Sequence, residues 1–257
     1  GVSGPTFPEF EGVPFPIGIP FGIFPLTKGR HSGLMAPAFS SSEDFGLGFE
    51  PIERDLKNLG ILDEMLIDTN NTLYVIRGNH DNPIFWDKSK GLNLPKFHNL
   101  KLVDDYTVHE IENKKVLFVG GALSIDRRPR MADFPYPTWW KDEEFKYNEI
   151  KLHDCLKKHK NIDVVITHTA PDFCYPTDDN VYIVNHYHII ESAHGVDLKL
   201  QLKQERQEMT EMYHDLTIHH GKKPKHWFYG HFHDKKEETH DNIQFHLLDI
   251  NELFELV

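Results

Sequence analysis

The sequence predicts an α/β fold, and two observations support this prediction. From Glu50 onward, short runs of β-branched and aromatic residues alternate with longer segments of helical hydrophobic spacing, an order typical of α/β domains. Three of the apolar runs end directly in a polar loop that carries a histidine. Ligand sites in such folds gather outside the carboxyl ends of the strands. We therefore expect these three loops to meet.

Each element follows from its local pattern. Residues 51–67 are expected to form a helix because apolar residues recur there every three or four positions. The β-rich run 72–76 predicts a buried strand. The remaining expectations, in chain order, are a hairpin at 106–111 and 115–119, an irregular loop at 124–141, a helix at 142–159, a strand at 162–167, an irregular stretch at 172–194, a helix at 196–218, and strands at 226–229 and 243–249.

Composition limits the function classes. The formal net charge is −12, which disfavours stable binding to nucleic acid or to anionic membranes. A phosphate site in this chain needs local positive charge, which bound metal ions can supply. The two cysteines, Cys155 and Cys174, fit a reducing cytoplasm. Neither a run of about 18 apolar residues nor a signal-peptide pattern occurs, so we expect a cytoplasmic location.

The first chemical motif is Gly78-Asn79-His80-Asp81, which follows the predicted strand at 72–76. An asparagine oxygen can ligate a divalent cation, and a neighbouring histidine can donate a proton to a leaving group. Taken alone, the tetrapeptide fits a turn without function about as well.

The second motif is Gly230-His231-Phe232-His233, and the third is the single His168 after the strand at 162–167. In an extended segment, residues i and i+2 point to the same side. His231 and His233 are therefore expected to face one site, with Phe232 directed into apolar packing. A single histidine at a strand end is more often structural, so His168 gains weight only from the other two motifs.

Together, in this order, the three motifs resemble the calcineurin-like metallophosphoesterase superfamily. That family carries Asp-x-His, Gly-Asp, Gly-Asn-His-Asp/Glu, a single His and Gly-His-x-His, and the last three are intact here. Arg77, the segment 120–127 and Trp139-Trp140 resemble a bacterial and phage branch. The resemblance covers about residues 44–250. It implies one domain over 1–257, a four-layer α/β/β/α sandwich of two mixed β-sheets, and a metal site at the carboxyl ends of the strands.

The resemblance also implies a set of metal ligands. Asn79, His168 and His231 would bind one ion, and His233 would bind the other. Asp44 lies where the family's Gly-Asp aspartate bridges both metals, although Glu43 replaces the glycine here. A loop acid that binds no metal is the alternative for Asp44.

Catalytic and substrate-binding roles come from the same resemblance. His80 would protonate the leaving oxygen or hold the phosphoryl group, and Asp81 would orient His80. Arg127 and Arg128 are expected at the mouth of the site, where arginine suits phosphate oxygens. A surface loop with packed aromatic residues is an equally open interpretation of that segment.

Residues 1–43 depart from the family pattern. They hold seven of the 16 prolines, and the family's Asp-x-His is missing because no aspartate precedes Asp44. Three explanations are open. The motif is lost and one metal or none is bound, or another side chain takes its place. In the third, the residues of this stretch are not those of the natural protein. The third explanation is favoured, and it predicts a first strand and helix within 1–43. The candidate substitutes are Glu9, Glu11 and His31.

The expected function is hydrolysis of a phosphomonoester or phosphodiester at a dinuclear metal centre. The mixed Asp, Asn and His ligands suit manganese first, with iron or zinc as alternatives. A second hypothesis is a catalytically impaired protein that uses the same fold as a binding module, which the loss of Asp-x-His supports. The natural substrate and the oligomeric state are not indicated by the sequence.

Overall fold

The structure is a computed structural model that describes residues 26–28, 38–41, 45–132, 135–176, 181–218, 222–249 and 252–256. Five α-helices lie in these ranges: α1 (Ile52–Asp68), α2 (Arg127–Met131), α3 (Glu149–Lys158), α4 (Tyr182–Ser192) and α5 (Leu198–Ile218). The same ranges contain eleven strands: β1 (Leu26–Lys28), β2 (Ala38–Ser41), β3 (Asn71–Val75), β4 (Leu100–Leu102), β5 (Thr107–Ile111), β6 (Lys114–Val119), β7 (Val164–Thr167), β8 (His226–Tyr229), β9 (Lys236–His240), β10 (Ile243–Leu247) and β11 (Glu252–Glu255).

The strands form two mixed sheets. One has the order β11-β2-β1-β3-β4, and the other has the order β5-β6-β7-β8-β10-β9. In the second sheet, β6, β7, β8 and β10 run parallel, whereas β5 and β9 are antiparallel edge strands. In the first sheet, β3 is parallel to β4 and antiparallel to β1. The prediction of two mixed sheets is therefore confirmed.

Alternation along each strand produces four layers. In β8, Trp227 and Tyr229 pack with residues of α3 and α5, while Phe228 belongs to the core between the sheets. On the first sheet, Leu73 of β3 packs against Leu59 of α1. The order is thus α1, first sheet, second sheet, and α3 with α5, which confirms the predicted α/β/β/α sandwich.

The structure differs from the predicted secondary structure in three places. The helix expected at 142–159 begins only at Glu149, because the Asn148 side chain accepts a hydrogen bond from the backbone N–H of Lys151 at 2.9 Å and caps the helix there. The stretch 172–194, expected to be irregular, contains α4. Its β-branched and aromatic residues are weak helix formers, but Val184 packs into a buried cluster with Leu198 of α5. The loop expected at 124–141 similarly contains α2.

The N-terminal stretch is described only in part. The strands β1 and β2 lie in it, and β1 pairs with β3 over three residues. The expected first helix, and the candidate substitutes Glu9, Glu11 and His31, lie outside the described residues. Within the described ranges, no helix is long and apolar enough to cross a membrane.

Candidate metal centre

Three of the predicted ligands converge at the ends of three strands. Asn79 follows β3, His168 follows β7 and His231 follows β8. The Oδ1 atom of Asn79 lies 2.9 Å from Nε2 of His168 and 2.9 Å from Nδ1 of His231. The two imidazole rings are 5.0 Å apart, centroid to centroid. The predicted meeting of these loops is present, and the role of the three residues as ligands remains a prediction.

The spacing of these atoms fits a metal ion. Neighbouring ligands that bind one ion at about 2.1 Å and at right angles lie about 3.0 Å from each other. The two distances of 2.9 Å from Asn79 Oδ1 to the imidazole nitrogens are close to this value, and both are also hydrogen-bond lengths. Two imidazole nitrogens and an amide oxygen form a donor set that suits manganese, iron or zinc.

A buried network fixes the orientation of Asn79. Its Nδ2 donates to Ser124 Oγ at 2.9 Å, which leaves Oδ1 directed at the histidines. Arg130 Nη1 donates to the backbone oxygen of Asn79 at 3.1 Å and to Ser124 Oγ at 2.8 Å. The Ser124 hydroxyl donates to the carboxylate of Glu143. The sequence analysis missed this network because nothing local connects residues 79, 124, 130 and 143.

The charges in this network lie away from solvent. Glu143 is fully buried, and Arg130 Nη2 donates to its Oε2 at 2.9 Å. Burial raises the pKa of Glu143 to about 7, although the Arg130 charge and the Ser124 hydroxyl oppose the shift. Because Arg130 also binds the backbone oxygen of Asn79, the ion pair with Glu143 helps to hold the loop of Asn79 in position.

The segment after β8 is not extended as predicted. His231 has φ 71° and His233 has φ 50°, so both lie in the left-handed region that few residues other than glycine adopt. Both side chains still line one cavity. Phe232 lines it as well, and its ring packs 4.7 Å from that of Tyr175. The shared side of His231 and His233 thus comes from a tight turn, and the role of His233 as a ligand remains a prediction.

His80 has a carboxylate beside it that the sequence analysis did not single out. Its Nε2 lies 3.4 Å from Oδ2 of Asp126, and both residues line the cavity. Asp81, predicted to orient His80, is fully buried, and its two oxygens accept the backbone N–H groups of Leu47 at 3.1 Å and Gly78 at 2.8 Å. Through these bonds, Asp81 holds the backbone of the loop in position. Its catalytic role remains a prediction.

Arg127 and Arg128 both contact a buried carboxylate. Arg127 is buried and donates to both oxygens of Glu191, at 2.9 and 3.1 Å, and to Gln201 at 2.6 Å. Arg128 donates to the same carboxylate of Glu191 at 3.2 Å. The described lining of the cavity includes neither arginine. Because these guanidinium groups are bound to Glu191, the geometry gives no support to the predicted contact with phosphate.

The cavity has a volume of about 400 Å³. Its described lining consists of Asn79, His80, Ile125, Asp126, His168, Tyr175, Ile183, Val184, Tyr187, Leu202, His231, Phe232 and His233. It therefore joins the converged ligands to an apolar wall formed largely by α4. Asp44, the predicted bridging ligand, lies outside the described residues.

Comparisons with known proteins found one family model that covers most of the chain. The family model of the calcineurin-like phosphoesterases matches residues 44–235, and a model named LptD protein matches residues 2–52. No curated protein matches the chain. The crystal structure of TT1561 of Thermus thermophilus is similar at 14% identity, covering 78% of this chain and 75% of that chain with a TM-score of 0.42. A second crystal structure is 16% identical, covering 76% and 63% of the two chains with a TM-score of 0.37.

Proposed function

Because the chain belongs to the calcineurin-like phosphoesterase family, we propose that it hydrolyses phosphate monoesters or diesters at a dinuclear centre of divalent cations, manganese first. The observation that carries the proposal is the contact of Asn79 Oδ1 with both His168 and His231. Three possible ligand atoms from three distant loops thus lie beside one another. His233 and Asp44 would complete the second position.

The lining of the cavity explains why metal charge is needed. No lysine or arginine occurs among the described residues that line it. An anionic phosphoryl group would therefore find no lysine or arginine in the described part of the lining. Bound divalent cations supply the charge that neutralises phosphoryl oxygens, and they lower the pKa of water so that it can attack phosphorus.

The chain's own residues would handle the proton and the positioning. His80 lies beside Asn79, lines the cavity and is 3.4 Å from Asp126. We assign His80 as the donor of a proton to the leaving oxygen, with Asp126 holding its ring in place. Asp81 holds the turn that carries both Asn79 and His80, through the backbone N–H groups of Leu47 and Gly78.

Two variants and one control test this proposal. The purified protein is stripped and reloaded with Mn²⁺, and metal content and turnover of p-nitrophenyl phosphate and bis-p-nitrophenyl phosphate are measured. His80→Ala should retain the metal and lose about 10²–10⁴-fold in kcat. Asn79→Ala should lose bound metal itself. His98→Ala, which removes an exposed histidine outside the cavity, should change neither property.

The outcomes separate the candidate functions. Full activity of His80→Ala would remove His80 from the mechanism. A parent protein that binds Mn²⁺ through Asn79 but hydrolyses neither ester would support the impaired binding module instead. Unchanged metal content in Asn79→Ala would refute the proposed centre.

A further inference from the structure

The cavity has a continuous apolar wall on the side of α4. Ile183, Val184 and Tyr187, at helical spacing, line it together with Leu202 of α5 and Ile125. Val184 and Leu202 belong to one buried cluster, against which Ile125 and Tyr187 pack. This wall lines the same cavity as Asn79, His168 and His231. One bound molecule could therefore contact the apolar wall and these three residues at once.

An aromatic side chain stands in a fixed position at the same cavity. The ring of Tyr175 packs edge-on against Phe232 at 4.7 Å, and the guanidinium carbon of Arg206 lies 4.6 Å from the ring centroid of Tyr175. Arg206 is itself paired with Asp172 at 3.1 Å. Tyr175 is thus held between two partners, which reduces the entropy cost of placing another ring beside it.

The wall is also braced from behind. Glu191 of α4 is fully buried and accepts hydrogen bonds from Arg127, which in turn donates to Gln201 of α5. Burial alone would raise the pKa of Glu191, but the hydrogen bonds and charges of Arg127 and Arg128 hold it below its usual value. Glu191 stays ionised at neutral pH, and its ion pair with Arg127 connects the helix that carries Val184 and Tyr187 to α2.

From these observations we propose that the apolar wall is a subsite for an aromatic ring attached to the ester oxygen of the substrate. Tyrosine and phenylalanine side chains favour edge-on or offset contact with another ring. The described lining holds no lysine or arginine that would bind a second phosphate. The preferred substrates are therefore aryl phosphate esters rather than polyphosphates or short alkyl esters. This inference rests on the proposed function and adds a substrate class to it.

The experiment compares ratios of kcat/KM, because a ratio between variants cancels the different intrinsic reactivity of the esters. The substrates are 1-naphthyl phosphate and ethyl phosphate, with Mn²⁺-loaded protein. Tyr187→Ala should lower the naphthyl-to-ethyl ratio by about 10-fold, which corresponds to the loss of one aromatic contact. Tyr182→Ala is the matched control: Tyr182 is 83% exposed on the same helix and does not line the cavity, so its ratio should match the parent's.

A second variant and a binding measurement keep the test independent of turnover. Ile183→Ala alters a side chain that is 46% exposed, so it should fold, and it should lower the same ratio by a smaller factor. Calorimetry should give tighter binding of 1-naphthylphosphonate than of ethylphosphonate, and Tyr187→Ala should remove that preference. If no ester is hydrolysed but the binding preference depends on Tyr187, the proposed function fails and the subsite stands. Equal binding of the two phosphonates, or equal losses for both esters in Tyr187→Ala, would overturn the subsite.

Discussion

Two arginines of α2, three residues apart, support opposite walls of the cavity. Arg130 binds Glu143 and Ser124 and thereby supports the polar wall that presents the proposed metal ligands. Arg127 binds Glu191 and supports the apolar wall formed by α4. Both arginines lie close to a predicted phosphate site, yet neither lines the cavity as described. The short helix α2 thus contacts both walls of the cavity through buried ion pairs. Both arginines use their guanidinium groups in contacts within the protein.

The two ion pairs differ in their electrostatic balance. Glu143 is bound by one guanidinium, and burial outweighs it, so the pKa of Glu143 rises to about 7. Burial also opposes ionisation of Glu191, but Arg127 and Arg128 outweigh it and lower the pKa. The charge of Arg130 therefore offsets only part of the desolvation of Glu143. Glu191 has two arginine partners, Arg127 and Arg128.

The largest expected effect of this difference is on stability. Arg130→Met should reduce the free energy of unfolding by about 3–5 kcal/mol, because it leaves Glu143 buried without a cation. Arg127→Met should cost less, about 1–3 kcal/mol, because Arg128 still contacts Glu191 at 3.2 Å. Urea unfolding at pH 7 measures both values.

A double variant controls for lost packing. Arg130→Met combined with Glu143→Met should recover part of the loss, since an apolar pair often replaces a buried ion pair without cost. The backbone oxygens of Asn79 and Thr138 still lose the donor that Arg130 supplies. Equal destabilisation by Arg127→Met and Arg130→Met would show that Arg128 does not compensate, and the proposed difference between the two walls would be lost.

A smaller effect should appear in the pH dependence of stability. The pKa of Glu143 rises from 4.5 to about 7 on folding, so its contribution is fully present below pH 4.5 and declines as the pH rises towards 7. Glu143→Gln should remove this decline, a change of up to about 3 kcal/mol. Urea unfolding between pH 4 and pH 8 tests the expectation.

The matched variant on the other wall should behave in the opposite way. The pKa of Glu191 is lowered on folding, so its stabilisation is present above pH 4.5 and is lost as the pH falls through the folded value. The stability deficit of Glu191→Gln should therefore shrink on acidification. If the two variants gave the same sign of pH dependence, the contrast between these carboxylates would be wrong.

The positions of Asn79, His168 and His231 could be predicted from local sequence because each follows an apolar strand. The run 72–76 and the residues after it identify both β3 and the loop of Asn79 without any long-range information. The same holds for β8, whose four residues match the predicted strand. Patterns of this kind are local, but the convergence of the three residues depends on the fold, because β7 and β8 are neighbours in one sheet and β3 lies in the other.

The supporting residues could not be predicted in this way. The contact of Arg127 with Glu191 could not be predicted, because Glu191 lies 64 positions away on a helix that the sequence did not indicate. The contact of Arg127 with phosphate stays a prediction. Asp126 was not singled out because adjacency in the chain suggested Asp81 as the partner of His80, and the fold brings Asp126 beside His80 as well. In both cases, tertiary packing decides which side chain meets which partner.

The smallest expected effect concerns the orientation of Asn79. Ser124→Ala removes the acceptor for Asn79 Nδ2, so the amide can rotate and present nitrogen in place of Oδ1. Loss of such an outer partner typically lowers metal affinity by about 10–100-fold. Calorimetric titration with Mn²⁺ should detect this weakening. Gln201→Ala removes a partner of Arg127 on the other wall and serves as the control, with unchanged Mn²⁺ affinity.

The dependence of kcat on Mn²⁺ concentration shows whether Ser124→Ala acts on the orientation of Asn79 or on the stability of the fold. If Ser124 acts by orienting Asn79, saturating Mn²⁺ should restore most of the kcat of Ser124→Ala, because the lost affinity is overcome by mass action. If the variant only loosens the fold, Gln201→Ala and Ser124→Ala should lose similar unfolding free energy, and neither should shift the Mn²⁺ titration. An unchanged Mn²⁺ affinity in Ser124→Ala would therefore show that the hydrogen bond from Asn79 to Ser124 does not orient Asn79 for metal binding.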